Sequence, residues 1–338
     1  MRIGLDVMGG DNAPDAILEG AIASLSTLGE NDEIVLVGDA AVIEQFLADR
    51  NVDDARITVV GCTDVIGMGE SPVEAVRSKK DSSVVVLARL AGRKAKNPLD
   101  AMISAGNTGA FVAAAQMFLR RLPAVHRPGI AVTLPTFAGP VTLIDVGANL
   151  EPKPHHLAQY GVMGEVYAGL GLNVPKPRVA LMNVGGEEQK GTGHIKQARD
   201  LLRADSSVNF IGYVEGRGVF NAEADVVITD AIVGNVMLKL AEGLSAGIFR
   251  AIGREVQEID PELAKKFEPI IKRIYAKHDY HEYGGAPLLG VAGICLICHG
   301  SSVGRTISNA VAQSKLFVDS GLNETITDRL GAMRTAIA

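Results

Sequence analysis

The chain has 338 residues, 47% of them hydrophobic and 21% charged, with a net charge of −6. This composition excludes a disordered chain, and the acidic balance argues against nucleic acid as a partner. At this length folding removes roughly 75% of the unfolded surface from water, so neither a disulfide nor a metal staple is required.

The first residues, Met1-Arg-Ile-Gly-Leu-Asp6, lack the apolar region of a signal peptide. No unbroken run of about 18 apolar residues marks a membrane span, which predicts a cytoplasmic protein. Residues 3–7 read as a first strand, and Asn12-Ala-Pro-Asp15 as a helix start with a capping Asn, an early Pro and an acid in the first turn. Further short apolar runs at 34–37, 57–60, 102–104, 141–145, 179–184, 210–214 and 226–229 alternate with helical patterns. Near-continuous apolar strands are those buried on both faces, so the pattern predicts a mainly parallel sheet between two helical layers, a three-layer α/β sandwich. No linker or repeat divides the chain, which predicts one domain over 1–338. From 236 to 279 the pattern is helical, an extension that would project from the sheet. Cys295 and Cys298 have CxxC spacing but lie in an apolar run, so they and Cys62 read as core residues more readily than as metal or redox groups.

In an open α/β sheet ligands gather beyond the carboxyl ends of the strands, where helix N-termini present unbonded N–H groups to anions. Asp6-Val-Met-Gly-Gly-Asp-Asn-Ala-Pro14 holds Asp6, Gly9, Gly10 and Asn12 in such a turn. Ser104-Ala-Gly-Asn-Thr-Gly109 places Gly106, Asn107, Thr108 and Gly109 before an apolar helix, without the Walker pattern. Asn183-Val-Gly-Gly-Glu-Glu-Gln-Lys-Gly-Thr-Gly193 combines flexible backbone with Glu188 and Lys190. Asp230 and Asn235 sit at the mouth of a long helix, and His299 lies among small residues. Each segment taken alone is open to two readings, a capped structural turn or an anion cradle. The chain shows no spaced Cys/His cluster for zinc and no GxGxxG after the first strand.

Together, these segments resemble the phosphate acyltransferase family called PlsX. The likeness rests on 6–14, Arg77-Ser-Lys-Lys-Asp-Ser-Ser83, 104–109, Asp145-Val-Gly-Ala-Asn149, Gly186-Glu-Glu-Gln-Lys-Gly191, Gly234-Asn-Val236 and Tyr283-Gly-Gly-Ala-Pro-Leu-Leu-Gly290, in the same order along nearly the whole chain. The resemblance implies a fold similar to isocitrate and isopropylmalate dehydrogenases and to phosphotransacetylase, a homodimer, and a reaction without metal or organic cofactor. It implies transfer of an acyl group from acyl carrier protein to inorganic phosphate for phospholipid synthesis, with Lys190 and Asn235 essential. The chain departs from the family pattern at Tyr213, where Asn is usual, and at Thr229 and Ala231-Ile232, where Cys and Gly-Phe are usual.

On that footing Lys190 and glycine N–H groups would hold phosphate, with Asn149, Glu188 and Asp230 nearby in sequence. Asn235 or the amides of 106–109 would face the developing oxyanion, and His299 would orient phosphate or protonate the leaving thiolate. Acyl carrier protein is acidic, so an acidic enzyme needs a local basic patch. Arg89, Arg93, Lys94 and Lys96, with Arg77, Lys79 and Lys80, are the candidates, a solvated helix face being the other reading. Leu263, Phe267, Ile270, Ile271, Ile274 and Tyr275 interleave with Lys265, Lys266, Lys272, Arg273 and Lys277 around Pro269. That is a basic amphipathic helix suited to an anionic membrane surface, where a downstream membrane acyltransferase would act, or to ordinary packing. The competing functional readings are a short-chain acyl-CoA phosphotransacylase and a non-catalytic carrier-protein scaffold.

Overall fold

The computed structural model describes residues 1–136, 138–277 and 284–337. In chain order the elements are β1 (Arg2–Asp6), α1 (Asp15–Ser24), β2 (Glu33–Gly38), α2 (Ala40–Asp49), β3 (Ile57–Gly61), α3 (Pro72–Ser78), α4 (Ser83–Leu90), β4 (Ala101–Ser104), α5 (Thr108–Phe118), β5 (Gly129–Thr136), β6 (Gly139–Ile144) and α6 (Pro154–Gly171). They continue with β7 (Val179–Met182), α7 (Gly193–Ala204), β8 (Phe210–Val214), α8 (Gly216–Phe220), β9 (Val226–Ile228), α9 (Ala231–Ile259), α10 (Pro261–Lys277), β10 (Ala286–Leu289), β11 (Ile294–Ile297), α11 (Gly304–Asp319) and α12 (Leu322–Ile337). The α/β class expected from the sequence is the one observed.

The chain groups into two compact units, one of Met1–Ala131, Val166–Pro175 and Tyr283–Ala338, the other of Val132–Glu165 and Lys176–Glu282. Two of the crossings fall inside β5 and α6. A boundary within regular structure leaves no Pro/Gly/Ser-rich trace in the sequence.

In the first unit the strand order is β3-β2-β1-β4-β11-β10, and β10 pairs with the first residues of β5. Strands β3, β2, β1, β4 and β11 are mutually parallel, while β10 runs antiparallel to β11 and β5. Burial is nearly unbroken along β1, β2, β4 and β11, so side chains cover both faces, whereas β3 at the edge alternates with exposed positions. Phe111, Phe317 and Tyr167 fill this core, and the Tyr167 and Phe317 rings meet edge to face with centroids 5.7 Å apart. Each such fully buried apolar side chain contributes roughly 1.5–3 kcal/mol. Because β2 and β4 flank β1 on opposite sides, the carboxyl ends of β1 and β4 mark a topological switch point.

The second unit holds β6-β9-β7-β8, all parallel. Here too the carboxyl ends of β6, β9 and β7 lie side by side, and each leads into a loop singled out above. The helical stretch expected over 236–279 is the pair α9 and α10. Only Ala231 and Gly234 of α9 are buried. Positions 278–283, among them the Tyr283 of the last motif, lie outside the described residues, as do the side chains of Lys272, Tyr275 and Lys277.

Candidate functional site

In the first unit the turn after β1 and the turn after β4 are built against each other. Asp6 is buried and its Oδ2 accepts from Ser104 Oγ at 2.6 Å, while Ser104 Oγ accepts from the Gly106 N–H at 3.0 Å. Burial pushes the Asp6 carboxyl up, partly offset by hydrogen bonds from Ser104 and Ser83 and from the N–H groups of Met8 and Gly9. A Cβ at Gly9 would stand 2.8 Å from Gly106 N and 3.0 Å from its Cα, so only glycine allows the two backbones this close.

Asn12 does not cap α1, contrary to the sequence expectation. Its Nδ2 donates to Ser301 O at 3.1 Å and Ser302 O at 3.2 Å, tying the turn to the segment after β11, and α1 starts after Pro14 without a side-chain cap. Gly10 lies beside that same segment, since the Asp11 N–H donates to Gly300 O at 2.7 Å. Asn107 is a brace as well as a cap. It accepts from Ala110 N and donates Nδ2 to the carbonyls of Gly67, Met68 and Glu70. The N–H groups of Thr108 and Gly109, at the start of α5, have no partner among the described residues, so this helix mouth can receive an anion. His299 is exposed, and its Nδ1 lies 2.7 Å from Ser301 Oγ and accepts from Ser301 N at 3.2 Å. That bond makes Nδ1 an acceptor.

In the second unit Asp145 organises the turn after β6. It is buried and accepts from the N–H groups of Gly147, Ala148 and Asn149 at 3.1, 2.9 and 2.7 Å. Asn149 donates to Tyr160 Oη at 2.7 Å, and its carbonyl accepts from Ala231 N. Asp230 is the N-cap of α9, accepting from Ile232 N and Val233 N at 2.9 Å. A Cβ at Gly234 would stand 2.2 Å from Asp145 O, so glycine there seats the first turn of α9 on the β6 turn. The neighbouring Asn235 is thereby presented outward, exposed and without a partner among the described residues. Ala231 and Ile232, two of the family departures, open this helix.

The loop after β7 carries Lys190, whose Nζ lies 2.7 Å from Glu187 Oε2, both side chains about half exposed. Glu188, placed among phosphate-binding candidates by sequence, is engaged by two arginines. Arg199 and Arg203 of α7 both hold its carboxylate, and the Arg203 hydrogen bond, with the charge of both arginines, keeps it below the usual carboxylate range. These pairs tie the loop to α7. Asn183 Nδ2 donates to Gly185 O at 3.0 Å, and Gly191 at φ +91° passes where any Cβ would strike Asn183 Oδ1 at 2.5 Å. Ser104, Asp145, Asn183, Gly185, Arg199 and Arg203 were not singled out as site residues by sequence. Their signal was position beside a glycine motif, which does not show what they touch.

The family model described as "Fatty acid synthesis protein" matches residues 1–325. A phosphate acyltransferase from Geotalea daltonii is 40% identical over 335 residues, covering 98% of this chain and 94% of the relative. Another from Desulfitobacterium hafniense is 44% identical over 333 residues, covering 98% and 97%. The chain belongs to the phosphate acyltransferase family. It is an enzyme that transfers an acyl group in a reaction with phosphate.

Solved phosphotransacylases share the fold of this phosphate acyltransferase. A phosphotransacetylase from Streptococcus pyogenes aligns with TM-score 0.62 at 14% identity, covering 95% of this chain and 94% of the other. A branched-chain phosphotransacylase from Enterococcus faecalis aligns with TM-score 0.53 at 12% identity, covering 94% and 99%.

The cysteines of this acyltransferase are free and buried, in agreement with the core reading. Burial pushes the Cys62 thiol up to about 11 and Cys298 to about 12, and raises Cys295 as well. Thiols so raised are poor nucleophiles near neutral pH. No cluster of three or more His, Cys, Asp or Glu suited to a metal occurs among the described residues. Of the basic candidates, Arg77, Lys80, Arg89, Arg93, Lys94 and Lys96 are exposed, whereas Lys79 is engaged by Glu70 at 2.8 Å and Asp64 at 3.6 Å. Helix α9 is long and apolar enough by length and composition to cross a membrane. Its exposed Ile232, Val236, Leu240, Leu244, Ile248 and Ile252 recur every fourth residue, and Lys239, Glu242, Arg250 and Arg254 interrupt it, so the apolar surface is a stripe.

Proposed function

We propose that this enzyme moves a fatty acyl group from acyl carrier protein to inorganic phosphate, giving acyl phosphate and free carrier for phospholipid synthesis. The observation that carries the reading is the likeness to phosphate acyltransferases over 98% of the chain. Phosphate is already anionic near neutral pH, so the task is to strip it of water and hold it in line with the thioester carbonyl. Lys190, half exposed on its glycine loop, neutralises the ion. Asn235, held outward by the Gly234 seat, donates to the oxygen on which charge grows.

The test compares donors. Purified enzyme with phosphate and either a long-chain acyl carrier thioester or a short-chain acyl-CoA is trapped with hydroxylamine. The reading expects hydroxamate from the carrier thioester and a loss of about 10²–10³ in turnover in Asn235→Ala. Preference for the short-chain acyl-CoA moves the enzyme to the alternative phosphotransacylase class, and no hydroxamate with intact carrier binding leaves a scaffold. Exposed Arg89, Arg93, Lys94 and Lys96 support docking of an acidic carrier. Reversing Arg93, Lys94 and Lys96 to Glu raises KM for the carrier thioester, most at low salt; an unchanged KM rejects the patch.

The apolar stripe of α9 and the basic helix α10 support a homodimer in the cytoplasm that touches the inner face of the cell membrane. Light scattering of a monomer, or failure to float with anionic vesicles, would count against these two proposals respectively.

A further inference from the structure

The loop after β7 is a fixed frame around a movable contact. Asn183 holds Gly185 at one end and crowds Gly191 at the other. Arg199 and Arg203 hold Glu188, and the Lys190 N–H closes a turn on Glu187 O at 3.0 Å. Within this frame the Lys190 side chain lies across Gly185. A Cβ there would stand 2.4 Å from Lys190 Cδ, 2.6 Å from Glu187 Oε2 and 2.7 Å from Lys190 Nζ. The bare Gly185 backbone is therefore the seat of both charged heads. Glu187 and Glu188 are adjacent and alike, yet only Glu188 is locked to a neighbouring helix. Among the described residues Glu187 pairs with Lys190 alone, and the hydrogen bond from Lys190 holds its carboxyl below the usual range.

We infer that Glu187 is a built-in stand-in for phosphate, a carboxylate that occupies the Lys190 ammonium until the substrate anion displaces it, and that Gly185 is the positioning residue that keeps the ammonium in place for the exchange. The inference rests on the assignment of Lys190 to phosphate. One ammonium cannot be fully neutralised by both anions at once, so Glu187 competes with phosphate and weakens its binding. In exchange, the lysine is held in one place on a half-exposed loop while phosphate is absent. Half-exposed ion pairs are weak, so the competition is modest, a factor of roughly two to five. The Gly185→Ala methyl would strike the tips of flexible side chains, so the backbone survives while both heads leave the seat.

The test is initial-rate kinetics with phosphate varied at saturating acyl thioester. Glu187→Gln lowers KM for phosphate roughly two- to five-fold and leaves KM for the acyl thioester in place. Gly185→Ala raises KM for phosphate, with an unchanged melting temperature. A phosphate KM that stays level or rises in Glu187→Gln overturns the stand-in, and an unaltered phosphate KM in Gly185→Ala overturns the seat. Lys190→Met separates the two levels. If it raises the phosphate KM while the other two variants match wild type, the inference fails and the assignment of Lys190 stands. If it leaves that KM unchanged, the assignment fails and takes the inference with it.

Discussion

The turn after β1 and the loop after β7 both follow parallel strands and both depend on glycine, yet they are held by opposite means. The first is packed inward at its base, with Gly9 set against the Gly106 backbone and the buried Asp6 bonded to Ser104. The second is charged and half exposed, pinned by Glu188 to Arg199 and Arg203. Backbone against backbone cannot yield without disturbing two strands, whereas ion pairs on the surface exchange with solvent and with other ions. The first region is thus suited to fixing a shape and the second to handling a mobile anion.

The strongest way to break this contrast is to add one methyl group to each region. Gly9→Ala drives a Cβ into the Gly106 backbone and Asp6 Oδ2, and its expected cost is about 1–3 kcal/mol of unfolding free energy by denaturant titration. Gly185→Ala stays within about 0.5 kcal/mol of wild type. Equal losses would show that the two loops are not built differently.

A pH series sharpens the point. Burial raises the Asp6 carboxyl in the folded state, so the associated stability is complete below the unfolded carboxylate pKa and is lost as pH rises through the raised folded value. Subtracting the stability curve of Asp6→Asn from that of wild type gives a difference that falls with rising pH over that window, by up to about 1.4 kcal/mol per pH unit. A flat difference would mean that Asp6 titrates as if in water. The smallest effect belongs to Glu188→Gln. Hydrogen exchange should quicken in 184–191 at low salt with little change in the unfolding midpoint, and unchanged exchange would deny Glu188 its tie to α7.

Much of the first region was legible in sequence. The strand before it, the paired glycines and the anion-ready start of α5 follow from apolar runs, punctuation and capping chemistry. Its contacts were not, because Asn12 looks like a cap by spacing and is drawn instead to carbonyls at Ser301 and Ser302, almost the whole chain away. Strand β5 and the β10–β11 hairpin escaped notice for related reasons. Pro135 and Pro287 break the strand signal, and the hairpin lies where the sequence suggested site loops. In the second region Lys190 stood out as the cation in a glycine loop. Glu187 and Glu188 are identical in type and adjacent, so only coordinates separate the one locked to α7 from the one facing Lys190. Gly234 beside Asn235 was legible as a motif, while its cause, contact with the Asp145 carbonyl, is a packing fact.

Phosphorus NMR of the enzyme with phosphate and a long-chain acyl carrier thioester tests the central claim most directly, with free carrier thiol counted in parallel. The account predicts a new acyl phosphate resonance that grows in step with released thiol and builds up far more slowly in Lys190→Met at the same phosphate concentration. Thiol release accompanied by free fatty acid, with inorganic phosphate left unchanged, would contradict it.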